Sequence, residues 1–307
     1  MGGLTMQAEL IANRFQRKAM VRLFMALVLV WSASACADDL PPDNPRIPAQ
    51  PSAEEPKTAA PAGNAENSAH PVMDQRALAL LKRMSDTLVA AGSYGYHTRS
   101  SVEIPASTGQ FLTFFAQADL VLERPNKLRV RISGDGPAYQ ITYDGSKVWA
   151  FDPAKNLYAV LDAPGSIEDT LSLLITKAGI HFPASNFMAS DPYAVMTRDL
   201  SSAFVVGASN VNGALCDHLA FIGPGVDWEV WIESGKEALP KRLAITYKDA
   251  ADSPRYMVEF FDWNLKRKPA STDFAFKAPK DARQIEFSGP PDSPQALANP
   301  GAAGEKK

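Results

Sequence analysis

The chain has 307 residues, 46% of them hydrophobic, with a formal net charge of −3, 24 prolines and two cysteines. A net acidic chain with scattered Lys and Arg excludes nucleic-acid binding, which needs clustered positive charge to neutralise phosphates. Two cysteines, only one of them in the part that reads as folded, exclude a fold held together by disulfides.

The first element is a targeting segment, residues 1–37. Arg14, Arg17, Lys18 and Arg22 form a basic stretch ahead of the apolar run "LFMALVLVW", Leu23 to Trp31. The run is too short for a bilayer, which needs about 20 apolar residues, and fits a secretory signal. The small residues "SASACA" that follow read in two ways. Ala35 and Ala37 bracket Cys36 as a signal-peptidase site, or "ASAC" resembles a lipobox in which Cys36 is the lipidation candidate, although Ala33 stands where a Leu is usual. Met6 and Met20 are alternative starts, since the basic stretch lies well inside the chain.

Residues 38–72 are rich in Pro, Ala and small polar residues, a composition that cannot bury enough surface to offset chain entropy. At about 3.1 Å per extended residue, such a linker reaches up to roughly 100 Å from an anchor. The tail, residues 288–307, is equally core-free, which leaves 73–287 as one domain.

In the domain, Ala77, Leu81, Met84 and Leu88 recur at helical spacing, widened by Leu80 and Ala91, and the helix ends at Gly92. Alternation then predicts strands. In "FLTFFAQADLVLERP", Leu112, Phe114, Ala116, Ala118, Leu120 and Leu122 share a face. "KLRVRI" follows, then a hairpin in "AYQITYDGSKVWAF", whose Asp144 and Gly145 supply positive backbone angles, then "NLYAVLDA". A helical insert comes next: Ser166 caps a helix carrying Ile167, Leu171, Leu174 and Ala178 that ends at Gly179, and Asp191 with Pro192 starts another. Five further alternating runs, "SAFVVGAS", "ALCDHLAFI", "VDWEVWIE", "KRLAITYKD" and "RYMVEFFDWNL", complete the chain. Strand blocks on both sides of an insert, with no β-helix-β regularity, predict an α+β fold: a mostly antiparallel sheet with a few helices segregated to one face.

The stretch "CDHLAFIGPGVDWEVWIE" is the chemically distinctive one. Cys216 and His218 fall on the same side of a strand. With no second Cys/His pair they fall short of a zinc site, and with no orienting third group they make a poor thiol–imidazole dyad. A buried thiol beside a hydrogen-bonded histidine is the structural alternative. Trp228 falls with Val226, Val230 and Ile232 on an apolar face, whereas Trp231 falls among Asp227, Glu229 and Glu233 and is expected partly exposed, on a cavity rim or contact surface. Phe111 and Phe115 add apolar material to the second face of their strand, and Phe261 does the same opposite Phe260, which hints at a sheet lining a cavity. No phosphate loop, nucleophile elbow or metalloprotease motif occurs.

The blocks "LVLERPNKLRVRI", "YDGSKVWAFDPAKNLYAVLDAPGSI", "FPASNFMASDPYAVM", "CDHLAF" and "VDWEVWIE" resemble the predicted periplasmic proteins of domain of unknown function 2092, over about Met73 to Phe287. The resemblance implies a fold similar to the lipoprotein carrier LolA, a half barrel closed by helices over a hydrophobic cavity. It implies no enzymatic activity. The reading is of a periplasmic, non-enzymatic, monomeric protein without cofactor or metal. Its partner is a hydrophobic ligand or lipoprotein, and it touches the membrane only through an anchor at Cys36. Phe114, Leu120, Trp149, Trp228 and Trp231 are the ligand-binding candidates, and the helices at Gln75–Ala91 and Ile167–Ala178 serve as plug or lid. A protein-interaction or sensor module and a thiol- or zinc-dependent hydrolase at Cys216 and His218 are the alternatives.

Overall fold

The structure, a computed structural model, describes residues 72–106, 108–163 and 165–287. The expected signal segment with Cys36, nearly all of the linker and the tail lie outside the described residues. The described residues belong to one compact unit.

Helix α1 (Gln75–Ala90) opens the domain, capped by Asp74, whose side chain accepts from the Arg76 amide. Six strands follow: β1 (Ser93–Pro105), β2 (Phe111–Glu123), β3 (Lys127–Gly134), β4 (Tyr139–Tyr143), β5 (Lys147–Asp152) and β6 (Leu157–Asp162). The helical insert comprises α2 (Ile167–Ala178), a 3-10 turn (Ser185–Met188) and α3 (Pro192–Met196). A second set of strands is β7 (Ser202–Val211), β8 (Ala214–Gly223), β9 (Val226–Glu233), β10 (Pro240–Tyr247) and β11 (Arg255–Asn264). A 3-10 turn (Ser271–Phe274) and the two-residue β12 (Arg283–Gln284) close the domain.

All twelve strands form one sheet in the order β12-β6-β5-β4-β3-β2-β1-β11-β10-β9-β8-β7. It consists of two meanders joined where β1 pairs with β11, antiparallel throughout except for β12 on β6. The sheet is not closed into a barrel, because β6 and β7 do not pair. Laid flat at about 4.8 Å per strand it would span roughly 50 Å. Instead, Leu120 and Tyr143 from one meander share a single core cluster with Val230 and Phe260 from the other, so the sheet curls round a common interior. The stripe of α1, Ala77, Leu81, Met84 and Leu88, is fully buried in that interior, against β7 and β9.

Both outer edges are partly covered by the chain's own ends. Val72 and Asp74 exchange backbone hydrogen bonds with Ala203 on β7, and Arg283 and Ile285 donate to Asn156 and Tyr158 beside β6. The insert follows its capping signals. Ser166 and Asp169 bond reciprocally in a capping box, and Gly179 ends α2 in a left-handed conformation at φ 65° with its N–H on the Ile175 carbonyl.

Three expectations are corrected. The β4–β5 turn needs only Gly145 at positive φ (99°); Asp144 serves through its carboxylate, which accepts from Ser146 and Lys147. Strand β1, "SYGYHTRSSVEIP", is central although alternation does not mark it as a strand. Phe111 and Phe115 line neither of the two cavities described below: they stand 42% and 61% exposed near the tip of the β1–β2 hairpin.

Candidate binding cavity

A cavity of ≈ 310 Å³ opens between the helical insert and the inner face of the second meander. Its roof comes from the insert: Ile175 of α2, the loop residues Phe182 and Phe187, and Val195, Met196 and Leu200 from α3 onward. Its floor is Val226 and Trp228 of β9 with Leu243, Ile245 and Tyr247 of β10. Trp228 lies in the plane of the sheet's inner layer because Phe221, opposite it on β8, stacks at 3.9 Å and 11°. His181, Ser185, Asn186, Arg198 and Asp249 are the polar residues of the lining beside the Tyr247 phenol. The volume lies at the lower end of the range for small-molecule sites, whose linings are mostly apolar with a few placed polar groups.

The roof is fastened to the first meander by hydrogen bonds. The Tyr94 hydroxyl donates to the Phe187 carbonyl at 2.8 Å, and Arg124 Nη1 donates to the carbonyls of Met188 and Ala189 at 2.9 and 2.6 Å. The Tyr193 amide donates to the hydroxyl of Ser85, a buried residue on α1, which ties α3 to that helix. Of the two helices expected to act as plug or lid, α2 contributes Ile175 to the lining and α1 contributes nothing; α1 is core.

Burial sets the electrostatics. It lowers the His181 pKa below that of a free imidazole, so the ring is neutral near neutral pH, and it raises the Tyr247 phenol well above its ordinary value. His181 Nε2 and the Tyr247 hydroxyl are both sealed from solvent without a hydrogen-bond partner.

The five ligand-binding candidates separate. Trp228 lines the cavity, and Leu120 is buried elsewhere in the same core. Phe114 is half-buried toward the far end of β2, opposite Val102. Trp149 lies on the outer face, stacked on Phe276 at 6.0 Å. Trp231 also faces outward, but the expectation of partial exposure is corrected: it is only 7% exposed, because His218 stacks on one side at 4.1 Å and the Arg242 guanidinium packs over the ring at 5.3 Å. The cavity residues that sequence left unnamed, Phe182, Leu200 and Tyr247 among them, come from separate segments, and the apolar side chains of "GIHFPASNF" follow no period.

Cys216 and His218 do share a face, but not a reaction centre. Cys216 is fully buried with Val211, Trp231 and Ala244, its Sγ contacts the Ala214 carbonyl at 3.5 Å, and burial raises its pKa, aided by Glu233. His218 Nε2 is 2.8 Å from Glu229, which also pairs with Arg255. A thiol held in the protonated form and an imidazole committed to a carboxylate give no activated nucleophile. Among the described residues, no three His, Cys, Asp or Glu side chains converge as metal ligands, and no helix is long and apolar enough to cross a membrane. A second, more open hollow of ≈ 470 Å³ on the outer face has His97, Arg99, Gln117, Asp119 and Arg131 in its walls, which does not suit an apolar ligand.

A half-open antiparallel sheet over a roofed apolar cavity is the arrangement anticipated from the sequence blocks, and a family model described as "Predicted periplasmic protein (DUF2092)" matches residues 77–288. The chain belongs to this family. No curated protein matches the DUF2092 chain. Among solved structures it is similar to the Mycobacterium tuberculosis lipoprotein LppX, at 14% identity and TM-score 0.40 over 64% of this chain and 99% of that one. It is also similar to LprF from Mycobacterium bovis, at 13% and 0.35 over 68% and 98%. The Pseudomonas aeruginosa MucA/MucB complex gives 15% and 0.35 over 66% and 62%.

Proposed function

We propose that this DUF2092 domain binds a hydrophobic ligand, an acyl chain, lipid or acylated protein, without catalysis, in the cavity between the helical insert and strands β9 and β10. The observation that carries the reading is the apolar roof and floor around ≈ 310 Å³ beside Trp228. Each methylene moved from water into such a lining contributes about 0.8 kcal/mol, so a chain of several carbons offsets the parting of roof from floor. The signal segment is read as exporting the protein to the periplasm, and residues 38–72 as a tether, anchored at Cys36 where that residue is acylated.

Lipid extraction and mass spectrometry of the purified protein, with titration of a fluorescent fatty-acid analogue, test the reading. Co-purifying lipid or saturable uptake is expected, with uptake weakened by Leu200→Trp, which fills the cavity. Absence of both lipid and uptake overturns it.

One observation favours a second reading, a protein-interaction module: Phe111, Leu112 and Phe115 stand exposed on the β1–β2 hairpin. Under that reading, alanine at these three positions abolishes function while Leu200→Trp leaves it intact.

A further inference from the structure

We infer that the cavity's occupant ends in an uncharged hydrogen-bonding head, an ester or hydroxyl on an acyl chain, recognised by His181 and Tyr247. The inference rests on the hydrophobic-ligand reading above and narrows it to a chemical class.

Buried polar groups nearly always have partners, and leaving one unpaired is costly. Here two unpaired polar atoms, His181 Nε2 and the Tyr247 hydroxyl, belong to residues lining one cavity, one from the helical insert and one from the end of β10; both are sealed from solvent, so an occupant's head reaches them as the roof parts from the floor. A few polar groups placed in an apolar lining are what orient and select a ligand. The phenol donates to a carbonyl or hydroxyl oxygen. The neutral imidazole accepts from a hydroxyl through an unprotonated Nε2, or donates to an ester oxygen in the other tautomer. Neither group carries a charge near neutral pH, since burial lowers the histidine and raises the tyrosine. The one Lys or Arg in the lining, Arg198, is exposed to solvent and shares that lining with Asp249, so an ionised carboxylate head finds no buried cation to pair with. Desolvating a carboxylate without a paired cation is far costlier than desolvating an ester or alcohol.

The test uses the full-length protein and displacement of N-phenylnaphthylamine at about pH 8, where fatty acids are ionised. Monododecanoylglycerol, methyl dodecanoate and dodecanoate compete for the probe. The glycerol ester is expected to bind at least about tenfold more tightly than dodecanoate, since a mispaired charge costs more than one hydrogen bond. Tyr247→Phe and His181→Leu are each expected to weaken the glycerol ester by about three- to tenfold while probe affinity stays within about twofold. Equal or tighter binding of dodecanoate by the unaltered protein overturns the inference and leaves cavity binding standing. So does an unchanged preference in both variants. Failure of the probe and all three dodecyl compounds to bind overturns the underlying reading instead. If neither variant folds, the ratio measured on the unaltered protein decides.

Discussion

Phe221 and Trp228 lie directly opposite each other on β8 and β9, with ring centroids 3.9 Å apart and planes 11° from parallel. Phe221 is 1% exposed, so its ring forms the support on which the cavity floor rests. Phe221→Ala is expected to cost about 3–5 kcal/mol of stability, the usual penalty for emptying a buried aromatic site. Urea unfolding measures it. Trp228, released from its stack, should also shift its emission to the red in the folded variant.

The roof is held by few bonds, so it can be loosened selectively. Arg124→Met removes both donations to the Met188 and Ala189 carbonyls, and Tyr94→Phe removes the one to Phe187. Each leaves a carbonyl short of its partner, at a cost of about 1–3 kcal/mol. Local opening should gain, so amide exchange over 185–196 is expected to rise roughly tenfold, while the amides of β9 and β10 keep their protection. Uniform acceleration across the sheet would mean that the roof does not open as a unit.

What sequence made legible follows where local signals and tertiary environment agree. The stripe of α1, the Ser166 and Asp191 caps and the Gly179 terminus each depend on neighbours within one turn, and each is found as read. Strand β1 escaped because its inward positions include Thr98 and Ser100 beside Tyr94 and Tyr96, which blurs the alternation. The acidic strand neighbours of Trp231 point to partial exposure, yet its cover comes from β8 and β10, invisible to any single strand. The cavity belongs to the same class. Its walls meet only when two meanders curl together, so no window of the sequence contains it.

The segment after β11 is a second case of long-range cover, and it responds to acid. Phe274 is 2% exposed and Phe276 packs on Trp149 and Tyr158, while Asp273 forms a 2.6 Å ion pair with Arg129. Desolvation pushes the Asp273 carboxyl up, but the hydrogen bond and charge of Arg129, with help from the Ala270 amide and Arg267, outweigh it and hold the pKa below the usual range. A depressed folded-state pKa means the stabilisation is complete above the unfolded value, near 3.9, and is lost as pH falls through the lower folded value. Exchange at residues 271–276 should therefore accelerate as pH drops below about 4, after correction for intrinsic rates. Asp273→Asn is expected to show the loosened state already at neutral pH and to flatten that dependence. A profile identical in the two proteins would remove Asp273 as the cause.

Cys216 offers the sharpest test of the outer-face packing. Its side chain has no exposure, and burial together with Glu233 lifts its pKa, so the thiolate fraction at mildly alkaline pH is smaller than for a free cysteine. Both effects slow attack on a disulfide reagent, because the thiolate is the nucleophile and it must reach the sulfur. In a Cys36→Ala background, labelling by dithionitrobenzoate is expected to be far slower in the native protein than in denaturant, with a native rate that follows opening of the β8–β9 region rather than reagent concentration. Cys216→Ala should cost about 1–2 kcal/mol through the small void it leaves beside Trp231 and should not alter uptake of an apolar ligand, whose cavity lies on the other face of the sheet. Stoichiometric labelling of the folded protein at the free-thiol rate would show that the cluster of Val211, Trp231 and Ala244 does not close over the sulfur, and would reopen a reactive role for the cysteine.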